Sequence, residues 1–384
     1  MTPELEAHLF GPGPKRILAL DGGGIRGILT LQMLKRIEAM IRVQMGRDDA
    51  VLSDYFDLIG GTSTGAIIAS ALALGWTVER VDEVYREFGS DIFRSSFFRR
   101  GLLHPKFSAK AIRDGLKKNF GDIQLGGPEL KSGLGIVAKR LDTGSTWILH
   151  NNPRGKYFGL KPSGGTPNSA YLLRDVVRAS AAAPTFFEPE LIRVTDDLQG
   201  AFVDGGVSPH NNPALVLMML ATIQGYGLGW ATGSDQLLIV SLGTGTKAAT
   251  LDPASVTRMP AAELGVRGLA TLMADATLLN ELLLQWMSSS PTARQIDGEV
   301  GDLGGDVLGG GQGLISYLRY NVELDSDWLK QTLGLDYTAT QLDSIAQMDK
   351  PKNIDDLARI GEAAAEQIED AHFDPIFTPG TRHR

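Results

Sequence analysis

Asp57-Leu58-Ile59-Gly60-Gly61-Thr62-Ser63-Thr64-Gly65-Ala66-Ile67-Ile68 is the stretch from which the fold can be read. A short apolar run ends in Gly61-Thr62-Ser63-Thr64-Gly65, and an Ala/Ile-rich helical segment follows at once. This is the G-x-S-x-G pattern in the strand–turn–helix setting that gives it meaning. Gly61 and Gly65 carry no side chain, so the chain can turn sharply and lift Ser63 out at the end of a strand. The helix behind it would aim free N–H groups and a partial positive charge at the same place. The pattern also arises by chance in Gly/Ser-rich turns, and its context makes Ser63 a candidate nucleophile.

Outward from that stretch, strands and helices alternate. Arg16 to Asp21 reads as a buried strand and Gly22-Gly23-Gly24 as a tight loop. Ile25 to Met45 has helical spacing in Ile28, Leu31, Leu34, Ile37 and Ile41. Thr64 to Leu74 and Val78 to Phe88 are predicted helices, with Gly75 as a C-cap. Gly133 to Leu141 and Thr146 to Leu149 form a predicted hairpin around Asp142-Thr143-Gly144-Ser145. Tyr171 to Ala183 is read as a helix, Ala201 to Asp204 as a strand, Pro213 to Ile223 as a helix and Leu237 to Leu242 as a strand. The alternation predicts an α/β fold, a three-layer α/β/α sandwich with a mostly parallel central sheet. Loops carrying chemistry then collect at the C-terminal ends of the strands, where Asp21, Gly61 and Asp204 stand. Beyond Leu242, Ala261 to Met287 reads as one long helix or two, Asp302 to Gly313 as a glycine-rich loop, and the rest as short helices.

Composition bounds the function. With 43% hydrophobic and 21% charged residues over 384 positions, the chain reads as an ordinary soluble protein. A net charge of −8 argues against a nucleic-acid polymer as partner. The absence of cysteine removes disulfides, thiolate metal sites and a cysteine nucleophile. Neither a signal peptide nor a transmembrane run is apparent, so the expected location is cytoplasmic, with a peripheral membrane association left open.

Gly22-Gly23-Gly24-Ile25-Arg26-Gly27 satisfies G-x-G-x-x-G after a strand and before a helix, which raises a dinucleotide fold. That fold wants an acid at the end of the second strand. Here the nearest acids, Asp54 and Asp57, lie at its start. The competing reading is an oxyanion hole, in which the N–H groups of Gly22, Gly23 and Gly24 face the oxygen that turns negative when Ser63 attacks an ester. Arg26 either stabilises this loop or is a solvated helix-start residue.

A serine nucleophile needs a base. Of the six histidines, His8, His372 and His383 lie near the termini in segments that look poorly ordered, and His104 and His150 suit surface or structural roles. His210 is the one competitor to Asp204, which closes the apolar run Phe202-Val203 and precedes Gly205-Gly206. Burial beside Phe202 would raise the basicity of that carboxylate. The bland alternative is that Asp204 only caps a turn.

Asp21-Gly-Gly-Gly-Ile-Arg-Gly27, Gly61-Thr-Ser-Thr-Gly65, Ala179-Ser-Ala-Ala-Ala-Pro-Thr-Phe-Phe187 and Asp204-Gly-Gly206, in that order, resemble the patatin-like phospholipase family. Asn211-Asn212-Pro213 and Ser241-Leu-Gly-Thr-Gly245 also fit, so the resemblance covers roughly Arg16 to Gly245. It implies a Ser–Asp dyad of Ser63 and Asp204, oxyanion donors at Gly22, Gly23 and Gly24, and no metal or other cofactor. The expected organisation is an N-terminal extension (1–15), a patatin-like catalytic domain (16–320) and a helical C-terminal segment (321–384), the last not covered by the resemblance. The expected reaction is hydrolysis of phospholipid or lysophospholipid esters through an acyl-enzyme. The alternatives are a regulated, nucleotide-activated membrane-degrading phospholipase effector and a non-catalytic lipid-binding module. Some bacterial relatives in this family are nucleotide-activated, but nothing in the C-terminal segment assigns a small-molecule activator.

Three stretches bear on the substrate. Ile92 to Phe107 interleaves phenylalanine and leucine with arginine and lysine, as suits an anionic bilayer surface. It would otherwise be a cap over the core. Leu278 to Met287 is a candidate acyl groove, with core packing as its alternative. Asp302 to Gly313 is a candidate lid or a plain loop.

Overall fold

The computed structural model describes residues 1–94, 107, 109–159, 165–184, 186–248, 251–309 and 311–379. Among these, nine strands form one sheet. They are β1 (Lys15–Leu20), β2 (Leu58–Thr62), β3 (Gly133–Arg140), β4 (Ser145–His150), β5 (Glu190–Arg193), β6 (Gln199–Asp204), β7 (Leu237–Leu242), β8 (Ser288–Ser289) and β9 (Ile315–Tyr320). The order is β5-β6-β3-β2-β1-β7-β9-β8, with β4 also pairing β3. The centre from β3 to β8 is parallel, while β4, β5 and β6 are joined by antiparallel pairings.

Every residue of β1 and of β7 is buried, as a parallel sheet covered on both faces requires. Alternate side chains enter separate cores. Leu18, Leu20, Ile59 and Val240 pack with the helices Gly27–Met45, Thr64–Ala73, Leu173–Ser180 and Ile354–Ala365. Ile17, Ala19, Leu58 and Ile239 pack on the other face with the helices Pro3–Phe10 and Ala214–Thr222 and with Leu284. The fold is therefore the three-layer α/β/α sandwich with a mostly parallel sheet.

The structure corrects four readings. The segment after Leu314 is not all short helices: Ile315–Tyr320 is β9, lying between β7 and β8. Arg319, its penultimate residue, hides it as a core strand, because a buried arginine is tolerated only where a carboxylate meets it. The helix read from Tyr171 to Ala183 spans Leu173–Ser180, and the backbone beyond it turns so that the Ala182 carbonyl accepts the Asp204 N–H. His8 is ordered: it sits in the Pro3–Phe10 helix with Nδ1 2.9 Å from Asp57. His372 is likewise held, with Nδ1 3.0 Å from the Tyr320 hydroxyl. The basic, aromatic stretch within 92–107 falls almost wholly outside the described residues, as do His104 and His383.

One feature of the sheet matters most for the site. β2 and β6 both pair with β3, from opposite directions. Thr62 lies opposite Val137 and Asp204 opposite Ala138, one residue further along. The ends of β2 and β6 thus meet head to head on a shared template.

Candidate active site

Ser63 occupies the turn between β2 and the Thr64–Ala73 helix with φ 56° and ψ −122°. Such a conformation costs an L-residue on the order of 1–3 kcal/mol and persists only where its surroundings impose it. Two close approaches impose it here. A Cβ on Gly61 would stand 2.2 Å from the Gly65 carbonyl carbon, and one on Gly65 2.2 Å from the Leu20 carbonyl oxygen. Only glycines let the helix start this close to the strand and to β1. The hydroxyl is thereby turned away from capping its own helix and donates to Asp204 Oδ2 at 2.5 Å.

Asp204 is 5% exposed. Its Oδ1 accepts the Gly206 N–H at 2.7 Å, so the aspartate caps its turn and meets Ser63 at once. Burial raises its pKa from 3.8 to about 6, against the opposing effects of the Ser63 and Gly206 hydrogen bonds and the Arg178 charge. Gly205 packs against β3, where a Cβ would meet the Val137 carbonyl oxygen at 2.4 Å. His210 is not part of this contact. Its Nδ1 is buried without a partner among the described residues, burial lowers its pKa, and its backbone carbonyl accepts the Thr62 hydroxyl.

The three glycines after Asp21 are not equivalent. The Gly22 N–H donates to the Asn211 carbonyl at 3.2 Å and the Gly23 N–H to Thr64 Oγ1 at 3.2 Å. The Gly24 N–H has no partner among the described residues. Gly24 has φ +61°, and a Cβ there would lie 2.4 Å from the Met348 carbonyl oxygen. Arg26 is no solvated side chain: it braces the loop through the carbonyls of Gly23 (3.3 Å) and Gly245 (3.0 Å). Asp57, the acid nearest the dinucleotide reading, is buried at the opposite end of β2 against Arg16 and His8.

Ser63, Asp204, Gly23 and Gly24 open into a cavity of about 670 Å³. Its walls are apolar, with Ile67, Tyr85, Ile112, Phe186, Phe187, Leu272, Met273 and Met348 among them. Leu272 and Met348 are also 63% and 42% exposed, so the cavity carries apolar side chains out to the protein surface. A carboxylate-bonded serine near the Gly24 amide, beside an apolar channel, is arranged for acyl transfer from an ester with a long hydrocarbon chain.

A family model described as patatin-like phospholipase matches residues 18–218, which contain both Ser63 and Asp204. The chain belongs to the patatin-like phospholipase family. A cUMP-AMP-activated phospholipase from Escherichia coli is 34% identical over 54% of this chain and 59% of its own length. A cGAMP-activated phospholipase from E. coli strain TW11681 is 28% identical over 63% and 65%, and patatin-T5 from Solanum tuberosum 28% over 60% of each. The chain thus spans roughly 60% of the curated relatives it matches.

Several parts of this patatin-like site come from outside the matched region and were missed in the sequence. Leu272, Met273 and Ala276 line the cavity from the Ala261–Trp286 helix, rather than Leu278 to Met287. Leu284 instead enters the second core, and Asn280 holds the Pro209 carbonyl at 2.6 Å. No described residue of 302–313 lines the cavity; Leu308 binds the Trp286 carbonyl at the far end of that helix. Arg319 on β9 grips Asp21 through two bonds, of 3.0 and 2.7 Å, just before the glycine loop. Met348 accepts the Ile25 N–H at 2.9 Å just after it.

Proposed function

We propose that the chain is a serine lipid acyl hydrolase that cleaves carboxylic esters of phospholipids or lysophospholipids through an acyl-enzyme. The observation that carries this is the 2.5 Å bond from Ser63 to a buried carboxylate at the floor of an apolar cavity. Asp204 takes the Ser63 proton as Oγ attacks the ester carbonyl. The tetrahedral oxyanion lies against the Gly24 N–H, with Gly23 and Gly22 joining as their present bonds exchange. The alcohol leaves with the proton held by Asp204. A water then gives its proton to Asp204 and attacks the acyl-Ser63 carbonyl, and the fatty acid leaves as Ser63 Oγ takes that proton back from Asp204. The raised pKa of Asp204 suits it to this exchange near neutrality, and family membership supports the substrate class. The exposed Leu272 and Met348 at the cavity support uptake of the substrate from a lipid surface.

The test is fatty-acid release from mixed phospholipid vesicles by wild type, Ser63→Ala and Asp204→Ala, with phosphonate labelling of Ser63. Both variants are expected to lose about 10⁴-fold or more while folding normally. Release that survives Asp204→Ala would refute the dyad. A second reading, that hydrolysis waits for a cyclic dinucleotide, draws its support from the names of the two E. coli relatives. It expects release to rise when cUMP-AMP or cGAMP is added to wild type, and is lost if the rate does not change. No helix among the described residues is long and apolar enough to cross a membrane.

A further inference from the structure

Ser180 ends the Leu173–Ser180 helix and is completely buried. Its hydroxyl makes two bonds, accepting the Ser63 N–H at 2.9 Å and donating to the Val137 carbonyl at 2.6 Å. Val137 is the β3 residue opposite Thr62. Two residues on, the Ala182 carbonyl accepts the Asp204 N–H at 3.0 Å. One short segment, Ser180-Ala181-Ala182, therefore holds the backbones of both Ser63 and Asp204 and ties them to the same strand.

We propose that Ser180 is a positioning residue, whose hydroxyl holds the strained Ser63 backbone so that the Ser63 oxygen faces Asp204. The inference rests on the hydrolase reading above. The physical need is specific. Ser63 makes no side-chain cap to its own helix because its hydroxyl is committed to Asp204, and its amide faces the protein interior. A hydroxyl is the smallest side-chain group that can accept from that amide and donate to a carbonyl at once. Alanine at 180 would leave both backbone groups buried and unpaired, and the turn would relax to recover them. Beyond it Ala181, Ala183, Pro184, Phe186 and Phe187 line the cavity, so one segment both aligns the pair and walls the substrate channel.

The experiment compares kcat, KM and the rate of phosphonate labelling at Ser63 for wild type, Ser180→Ala, Ser180→Thr and Ser70→Ala. Ser70 is the internal control. It lies on the helix that follows Ser63, is completely buried, and its hydroxyl has no partner among the described residues. Ser180→Ala is expected to lower kcat by about 10- to 100-fold at unchanged KM, and to slow labelling equally. Ser180→Thr keeps the hydroxyl and should recover most of the loss, while Ser70→Ala leaves both rates unchanged. If Ser180→Ala does not fold, Ser180→Cys replaces it, its weak thiol bonds giving the same loss in smaller measure. A folded Ser180→Ala or Ser180→Cys enzyme with wild-type kcat overturns the proposal alone, as does an equal loss in Ser70→Ala. A wild type that neither releases acyl groups nor labels at Ser63 overturns the hydrolase reading, and this one with it.

Discussion

At Asp204 two demands conflict. A carboxylate taken out of water gains basicity, and the fold bears the cost of holding its charge. With a folded pKa of about 6 against 3.8 ordinarily, the native state still holds a proton that the unfolded chain has released between those values. Stability therefore falls as pH rises from about 4 to 6 and stays reduced above. Asp204→Asn removes that penalty. Urea unfolding at pH 8 should show the variant gaining up to about 3 kcal/mol, less what its weaker bonds to Ser63 and Gly206 forfeit. The gain should shrink toward pH 4; a gain independent of pH would mean that the carboxyl is not perturbed. As the proposed base, the same group would govern the rate from the other side. In the proposed mechanism the free enzyme needs the ionised form, so kcat/KM should fall tenfold per unit below about pH 6 and level off above it. A profile flat from pH 5 to 8 would remove Asp204 from the base role.

Among the elements, β9 carries the clearest consequence. Arg319 and Asp21 are 7% and 5% exposed and face each other across β7, with the Ser241 hydroxyl accepting a third bond at 2.8 Å. Burial pushes the Asp21 carboxyl upward, and the guanidinium holds it down. Arg319→Met would strand that carboxylate and should cost about 3–5 kcal/mol in urea unfolding. The loss should be smaller at pH 5 than at pH 8, since a stranded Asp21 can take up a proton. Equal losses at both values would mean that the arginine matters only for packing. The same arginine explains what could be read beforehand. β1, β2, β7 and the helix after Ser63 were legible because their apolar periodicity survives burial on both faces. The Gly61–Gly65 turn was legible because close approach demands its glycines. β9 was not, because Arg319 interrupts its apolar run and the partner that makes the burial tolerable lies 298 residues away. The meeting of Ser63 with Asp204 was expected from the motifs, but the means was not: register on β3 is a property of pairing, and no local pattern announces it.

On the scale of the whole molecule, the glycine loop is held by segments far beyond it in the chain. Thr244 donates to the Gly22 carbonyl at 3.0 Å, and Met348 closes over Gly24 from the turn that precedes the Ile354–Ala365 helix. That helix lies along Gly27–Met45, the helix that begins where the loop ends. Their contact is close at Gly361, where a Cβ would stand 2.7 Å from the Leu29 carbonyl oxygen and 2.9 Å from its Cα. Backbone atoms cannot give way as a side-chain tip can, so Gly361→Val must push the two helices apart. Overpacking of this kind costs about 1–3 kcal/mol, which urea unfolding would measure. Gly361 does not line the cavity, yet the displacement reaches it through Met348, whose carbonyl would draw away from the Ile25 N–H. Hydrolysis by the folded variant should therefore lose kcat along with stability, as the Gly24 amide shifts from where the oxyanion forms. A destabilised Gly361→Val enzyme with full kcat at a temperature where it remains folded would show that the C-terminal helix supports the fold without setting the loop.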